Sequence, residues 1–150
     1  EADSDEEEAA EAEADEAEAE LEAAIEVEND LRSEIVTYAL QFVGNRYKYG
    51  GTNPNTGVDC SGFTSYVMRH AAEVELPHSS GGQSRMGRQV SSSEMRPGDI
   101  ICYGSGKRIN HVALYIGNGQ IVHASTERTG IKVSRWNYRT PVRIVNVLGD

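Results

Sequence analysis

His111-Val112-Ala113-Leu114-Tyr115-Ile116-Gly117-Asn118-Gly119-Gln120-Ile121-Val122-His123-Ala124 is the stretch from which the fold can be read. Asn118-Gly119 is a strong signal for a two-residue hairpin, because both central residues of a type I′ turn need positive φ. Aliphatic runs flank it, so His111–Ile116 and Gln120–Ala124 are expected to be antiparallel strands. Ile100–Tyr103, Ile131–Ser134 and Val142–Val147 have the same β-branched, apolar character. The segments before them are helical in pattern. Helices first and then a meander of strands is an α+β architecture with an antiparallel sheet of five to six strands.

The hairpin also carries two of the four histidines, and its register decides whether they meet. A plain two-residue turn pairs position 117 with 120. Odd positions of the first strand then share a face with even positions of the second, which separates His111 from His123. A bulge or one more turn residue reverses the outcome. On the residues alone, both registers stand open.

Upstream lies Asp59-Cys60-Ser61-Gly62-Phe63. A loop precedes it, Gly50-Gly51-Thr52-Asn53-Pro54-Asn55-Thr56-Gly57, with a composition that no regular element tolerates well. The residues after it repeat at helical spacing, with Phe63, Tyr66, Val67 and Ala71 on one face. Cys60 is thereby placed at a helix N-terminus, where free N–H groups and the positive end of the macrodipole favour a thiolate. Asp59 is a candidate cap for that helix, and Gly62 leaves the backbone open to close approach. A buried core cysteine is the competing reading, and the polar neighbours argue against it. His70 falls at the far end of the same helix, suited to the helix C-terminus, and His78 sits in a loop after Pro77. Ser79 or Ser80 is expected to cap a short helix carrying Gln83 and Met86, and Arg96-Pro97-Gly98-Asp99 reads as a turn.

Charge divides the chain. Residues 1–34 hold 17 of the 24 acids and a single base, Arg32, whereas residues 35–150 hold 7 acids and 13 bases. The net charge of −10 therefore belongs to the first segment, and the remainder is mildly basic. Residues 1–30 read as an acidic linker or fraying helical tail; residues 1–20, almost wholly Glu, Ala and Asp, have nothing apolar to bury, and from Leu21 through Ile25, Leu31 and Ile35 apolar residues recur at helical spacing. A helix is expected from Leu31 to Val43, with Asn29-Asp30 as its cap and Gly44-Asn45 as its stop. A basic domain suits an anionic partner, but no basic helix, aromatic platform or zinc-finger spacing points to nucleic acid. No apolar run reaches membrane-spanning length. The chain opens on Glu1-Ala2, as expected of a processed product or an excised piece. Two cysteines, Cys60 and Cys102, are too few for a disulfide framework, although one bond between them would abolish thiol chemistry. Cys60, Cys102, His111 and His123 contain no close ligand pair of the usual zinc kind, so no metal or other cofactor is expected.

The motifs Tyr47-Lys48-Tyr49-Gly50-Gly51, Asp59-Cys60-Ser61-Gly62-Phe63, Leu76-Pro77-His78-Ser79, Arg96-Pro97-Gly98-Asp99, His111 to Gly117 and Val122-His123-Ala124 occur in this order. Together they resemble the NlpC/P60 family of cell-wall cysteine peptidases over about residues 31–148, leaving out the acidic segment. The resemblance implies a papain-like fold for residues 31–150, with the cysteine helix packed on an antiparallel sheet and both histidines converging on Cys60. It implies Cys60 as nucleophile, His111 as base and His123 as the group orienting that base, with the pair resting as thiolate and imidazolium. Tyr47, Asp59, Ser61 and Ser79 match positions that contact substrate. His78 departs from the pattern, where relatives often carry Arg, and so does Cys102, which is expected to serve core packing.

The activity so implied is hydrolysis of the bond from γ-D-glutamyl to diaminopimelate or lysine in peptidoglycan stem peptides, by a secreted or wall-associated bacterial protein with a monomeric catalytic domain. An N-acetylmuramoyl-L-alanine amidase or acyltransferase with the same Cys–His pair is one alternative. A non-catalytic wall-binding module is another, and the intact Cys60, His111 and His123 set argues against it. The opposed charges leave two roles open for the acidic linker, a plain spacer or a segment that folds over the basic domain and blocks the groove.

Overall fold

The structure, a computed structural model, describes residues 16–23 and 30–150. The chain divides into a unit of residues 1–31 and a unit of residues 32–150. In the first, residues 16–23 are helical and exposed. The other acid-rich positions, 1–15 and 24–29, lie outside the described residues, and so does the Asn29 half of the expected helix cap.

Helix α1 covers residues 30–40, so Asp30 is already helical rather than a cap. Ile35, Ala39 and Phe42 recur at helical spacing and are buried. The helix was expected to reach Val43; instead its last residues tighten into i to i−3 bonds, Phe42 N–H to the Ala39 carbonyl and Val43 N–H to the Leu40 carbonyl, both 3.2 Å. Gly44 then turns at φ +94° and donates its N–H to the Ile131 carbonyl at 2.8 Å.

The loop before Cys60 holds more order than its composition suggests. Strands β1 (Thr52–Asn53) and β2 (Gly57–Val58) form a two-stranded hairpin. Two residues per strand suffice because the turn supplies its own bonds, with the Asn53 side chain accepting from Asn55 N–H at 2.9 Å. Helix α2 (Cys60–Ala72) follows, capped by Asp59, whose carboxylate accepts from Gly62 N–H at 2.7 Å. Phe63, Val67 and Met68 on its inner face are fully buried, and the helix packs on the strands Arg108–Gly117 and Gln120–Thr126.

Helix α3 (Ser80–Ser84) is capped by the Ser79 hydroxyl, which accepts from Gly82 N–H at 3.1 Å. A single large sheet comes next: β3 (Arg88–Gln89), β4 (Ile100–Ser105), β5 (Arg108–Gly117), β6 (Gln120–Thr126), β7 (Gly130–Arg135) and β8 (Pro141–Asn146). Its spatial order is β3-β8-β4-β5-β6-β7, and every pairing in it is antiparallel. The expected meander is therefore confined to β4–β7. Strand β8 crosses back to pair with β4, covering an edge that the meander would leave open. The short β3, absent from the sequence reading, pairs with β8 in turn.

The β5–β6 register answers the question left open by the residues. Asn118 and Gly119 have φ of 54° and 73° and form the two-residue turn, with Gly117 opposite Gln120. The register then slips by one, so that Tyr115 faces Ile121 and Leu114 faces Val122. Ile116 is the extra residue of a β-bulge, eased by Gly117 at φ +93°. Odd positions now share a face with odd positions. Ile101, Tyr103, Ala113, Tyr115, Ile121 and Ile144 form one core cluster there, with Met95 and Trp136 packed against it.

Candidate functional site

His111 and His123 lie on the face set by this bulge, and they touch. His111 Nε2 and His123 Nδ1 are 2.7 Å apart, and His123 Nε2 is 2.9 Å from the Ser134 hydroxyl. Both rings are buried. Tyr103 packs beside His111 with ring centroids 6.0 Å apart, and Tyr138 beside His123 at 5.3 Å. Arg139 stands over the Tyr103 ring at 5.8 Å and donates to the Asn110 side-chain oxygen at 2.9 Å.

Cys60 is the first residue of α2 and is half-buried. Burial raises its thiol pKa. The backbone N–H of Val112, next to His111 on β5, works the other way by bonding the thiolate form, as do those of Ser61 and Cys60 itself, while the Asp59 charge adds to the rise. His111 is pushed down to about 4 by burial and then by the Arg139 charge. His123 is pushed down to about 3 by burial, by His111 and by Lys132. These environments favour a neutral thiol and neutral imidazoles at rest. Desolvation of both groups thus works against the expected thiolate–imidazolium pair, and the helix terminus and backbone N–H groups work for it.

Tyr47, Asp59, Ser61 and Ser79 line one pocket of about 420 Å³ together with Cys60, His78 and Asn110. Two of them are also structural. Ser79 caps α3, and Asp59 caps α2 while accepting from Gly50 N–H at 3.1 Å and facing His78 Nε2 at 2.8 Å. The Asp59 contact gives His78 the partner that its loop position did not reveal. His70, remote from this pocket, faces the Tyr66 carbonyl at 2.9 Å and stacks on the Tyr66 ring. Gly62 is not open to a ligand: a Cβ there would lie 2.2 Å from the Gly51 carbonyl oxygen, so its smallness serves the loop packed on α2. Cys60 and Cys102 are both free, and Cys102 is fully buried in the sheet.

Ser134, Tyr138, Arg139 and Asn110 were not singled out from the sequence. Ser134 shares a face with His123 through the β6–β7 register, in which His123 faces Lys132. No turn signal between 125 and 130 was strong enough to set that register beforehand. Gln83, expected only as part of a short helix, is fully buried and holds the start of α2. Its amide donates to the Ser61 carbonyl at 2.9 Å, and its oxygen accepts from the Thr64 hydroxyl at 2.5 Å. Among the described residues no three His, Cys, Asp or Glu side chains are grouped to hold a metal ion.

Residues 44–144 match the profile of the NlpC/P60 family. The chain belongs to the NlpC/P60 family. It is 41% identical over 108 residues to the murein DD-endopeptidase MepS/murein LD-carboxypeptidase of Escherichia coli, covering 72% of this chain and 56% of that protein. It thus spans little more than half the length of this NlpC/P60 relative. Among solved structures, the NlpC/p60 domain of the peptidoglycan hydrolase SagA aligns with a TM-score of 0.71 and 32% identity, covering 77% of this chain and 97% of that one. The peptidoglycan hydrolase RipB of Mycobacterium tuberculosis aligns at 0.72 and 28% identity, covering 81% and 67%. The α+β architecture, with helices and a six-stranded antiparallel sheet, is the NlpC/P60 fold.

Proposed function

We propose that this chain is a thiol peptidase of peptidoglycan, cutting the bond from γ-D-glutamyl to diaminopimelate or lysine in stem peptides. The observation that carries the reading is the chain of contacts from His111 and His123 on the bulged hairpin to Ser134 on β7, beside a helix-opening cysteine that the Val112 N–H reaches. In this reading residues 31–150 are the catalytic part and residues 1–30 a linker. The protein acts outside the cell or at the wall. No helix of the described residues is long and apolar enough to cross a membrane.

The proton relay assigns the tautomers. If His111 donates its Nε2–H to His123 Nδ1, and His123 donates its Nε2–H to the Ser134 hydroxyl, then His111 Nδ1 carries a lone pair for the thiol. His111 takes the Cys60 proton as sulfur attacks the scissile carbonyl carbon. Negative charge gathers on the carbonyl oxygen. The Cys60 backbone N–H, in the first turn of α2, is a donor for it. His111 returns the proton to the departing amine, leaving a thioester. Water, deprotonated by His111, then cleaves the thioester and restores the thiol. Tyr47, Asp59, Ser61 and Ser79 hold the peptide in the pocket they line.

A second reading has a specific observation behind it. The 41% identical relative is named as a murein DD-endopeptidase and LD-carboxypeptidase, activities that cut at D-alanine rather than at D-glutamate. Mass spectrometry separates the two. Incubated with L-Ala-γ-D-Glu-diaminopimelate, its lysine counterpart and a cross-linked muropeptide dimer, the reduced protein is expected to release L-Ala-D-Glu, and Cys60→Ala to release nothing. Separation of the dimer with intact tripeptides would replace the proposal by the DD-endopeptidase reading. Loss of the stem from the glycan would point to an amidase, and no product from any substrate to a wall-binding or acyl-transfer role.

A further inference from the structure

A second pocket, of about 490 Å³, opens between α3, the β4–β5 turn and β8. Arg85, Lys107, Arg108 and Arg143 line it, and no carboxylate does. None of these four cations has a side-chain hydrogen bond or ion pair among the described residues. Arg143 Nε is also buried, and among the described residues it is the one buried side-chain nitrogen or oxygen without a partner. The residue opposite Arg143 in the sheet is Cys102, whose thiol burial pushes up to about 12. Cys102 therefore stays neutral and supplies no counter-charge.

A buried N–H without an acceptor is unfavourable, and Arg143, which carries it, lines the pocket. Like charges gathered around one concavity repel until an anion enters. The number of cations selects the anion. A single carboxylate accepts one bidentate fork and leaves the remaining cations facing each other. A phosphate monoester offers three terminal oxygens and a diester two, set tetrahedrally rather than in one plane, so that cations can approach from several directions together.

We propose that this pocket is a binding site for a phosphoryl group carried by a phosphate monoester or phosphodiester ligand, separate from the Cys60 cleft. Helix α3 is the partition between the two. Ser79 and Ser80 line the thiol pocket, whereas Gly81, Ser84 and Arg85 line the basic one. A phosphate-bearing ligand held there would sit across α3 from the thiol pocket and hold the protein against a phosphate-bearing surface. The inference does not depend on which bond Cys60 attacks.

The test is a titration of the whole chain with inorganic phosphate at constant ionic strength, read by amide chemical shifts. Saturable changes are expected around Gly81–Arg85, Lys107–Ile109 and Arg143, with no such changes for acetate. The double variant Arg85→Gln/Lys107→Gln should weaken binding by about tenfold or more. Arg128→Gln, outside the pocket, should leave it within about twofold. Shifts that never saturate, that spread over unrelated surface cations, or that survive the double variant would overturn the proposal. Glycerophosphoglycerol and phosphatidylglycerol vesicles distinguish the source. Saturation by the soluble diester, or vesicle binding lost in the double variant, supports the site; vesicle binding that survives it overturns the site.

Discussion

Cys60 and His111 sit in surroundings that favour their neutral forms, and this sets the pH behaviour of the site. His111, held down to about 4, stays unprotonated through the weakly acidic range in which a free imidazole would already be charged. The acid limb of kcat/KM is therefore expected near pH 4–5 rather than near 6.5. Arg139→Ala removes a cation that disfavours the imidazolium, so the limb should move to higher pH. A limb that stays in place would separate Arg139 from the base. His111→Ala should lower kcat by about 10³-fold, the usual weight of a general base. His123→Ala leaves His111 Nε2 without its buried partner and should cost about 10- to 100-fold, with His123→Gln recovering part of it. Steady-state kinetics on the substrate identified by mass spectrometry measures all of these.

At the level of elements, the position of the thiol depends on how closely α2 approaches the loop before it. Gly51 and Gly62 meet there, and a Cβ at Gly62 would lie 2.2 Å from the Gly51 carbonyl oxygen and 2.9 Å from the Asp59 carboxylate. Backbone cannot yield as a side chain can. Gly62→Ala is expected to destabilise the fold by about 1–3 kcal/mol in urea unfolding and to change the rate of Cys60 alkylation. The hairpin is the other decisive element. Removing Ile116 closes the bulge but leaves Tyr115 opposite Ile121 and Leu114 opposite Val122, so His111 and His123 stay on one face. That variant should therefore keep its activity wherever circular dichroism still reports a folded sheet, and a loss of activity there would contradict the bulge as a simple one-residue insertion.

For the molecule as a whole, Arg32 joins the start of the 32–150 unit to its far end. Its guanidinium reaches Asp99 at 3.0 Å, the Pro97 carbonyl at 2.8 Å and Asp150 at 2.5 Å, and Arg96 reaches Asp150 at 2.9 Å. Arg32 and Asp99 are almost fully buried. Arg32→Ala would leave the Asp99 carboxylate buried without its counter-ion, so a loss of about 3–5 kcal/mol is expected in chemical denaturation. Acid acts on the same whole. Unfolded histidines titrate near 6.5, whereas His111 and His123 titrate at about 4 and about 3 in the fold. Between those values unfolding takes up protons, so stability should fall as pH drops from 6.5 towards 3. Asp150, lowered from 3.8 to about 2 chiefly by its bond to Arg32, adds a further loss in that lower window. Calorimetric Tm values at pH 7.5, 5.5 and 4 check the slope; a flat profile would contradict the buried neutral histidines.

Local physical chemistry was enough for much of this protein. The type I′ turn at Asn118-Gly119, the Asp59 cap on α2, the Ser79 cap on α3 and the five main strands could be read in the sequence, because each depends on residues within a few positions of one another. The cysteine at a helix start and the histidines on adjacent strands were legible for the same reason. What the residues could not decide were matters of register and burial. The bulge at Ile116, the return of β8 to β4, the contact of His123 with Ser134 and the neutral state of the buried histidines arise from distant segments packing together. A shift of one residue turns a strand over, and desolvation depends on what covers a group. Neither is a property of a short stretch of chain, so only the tertiary structure decided them.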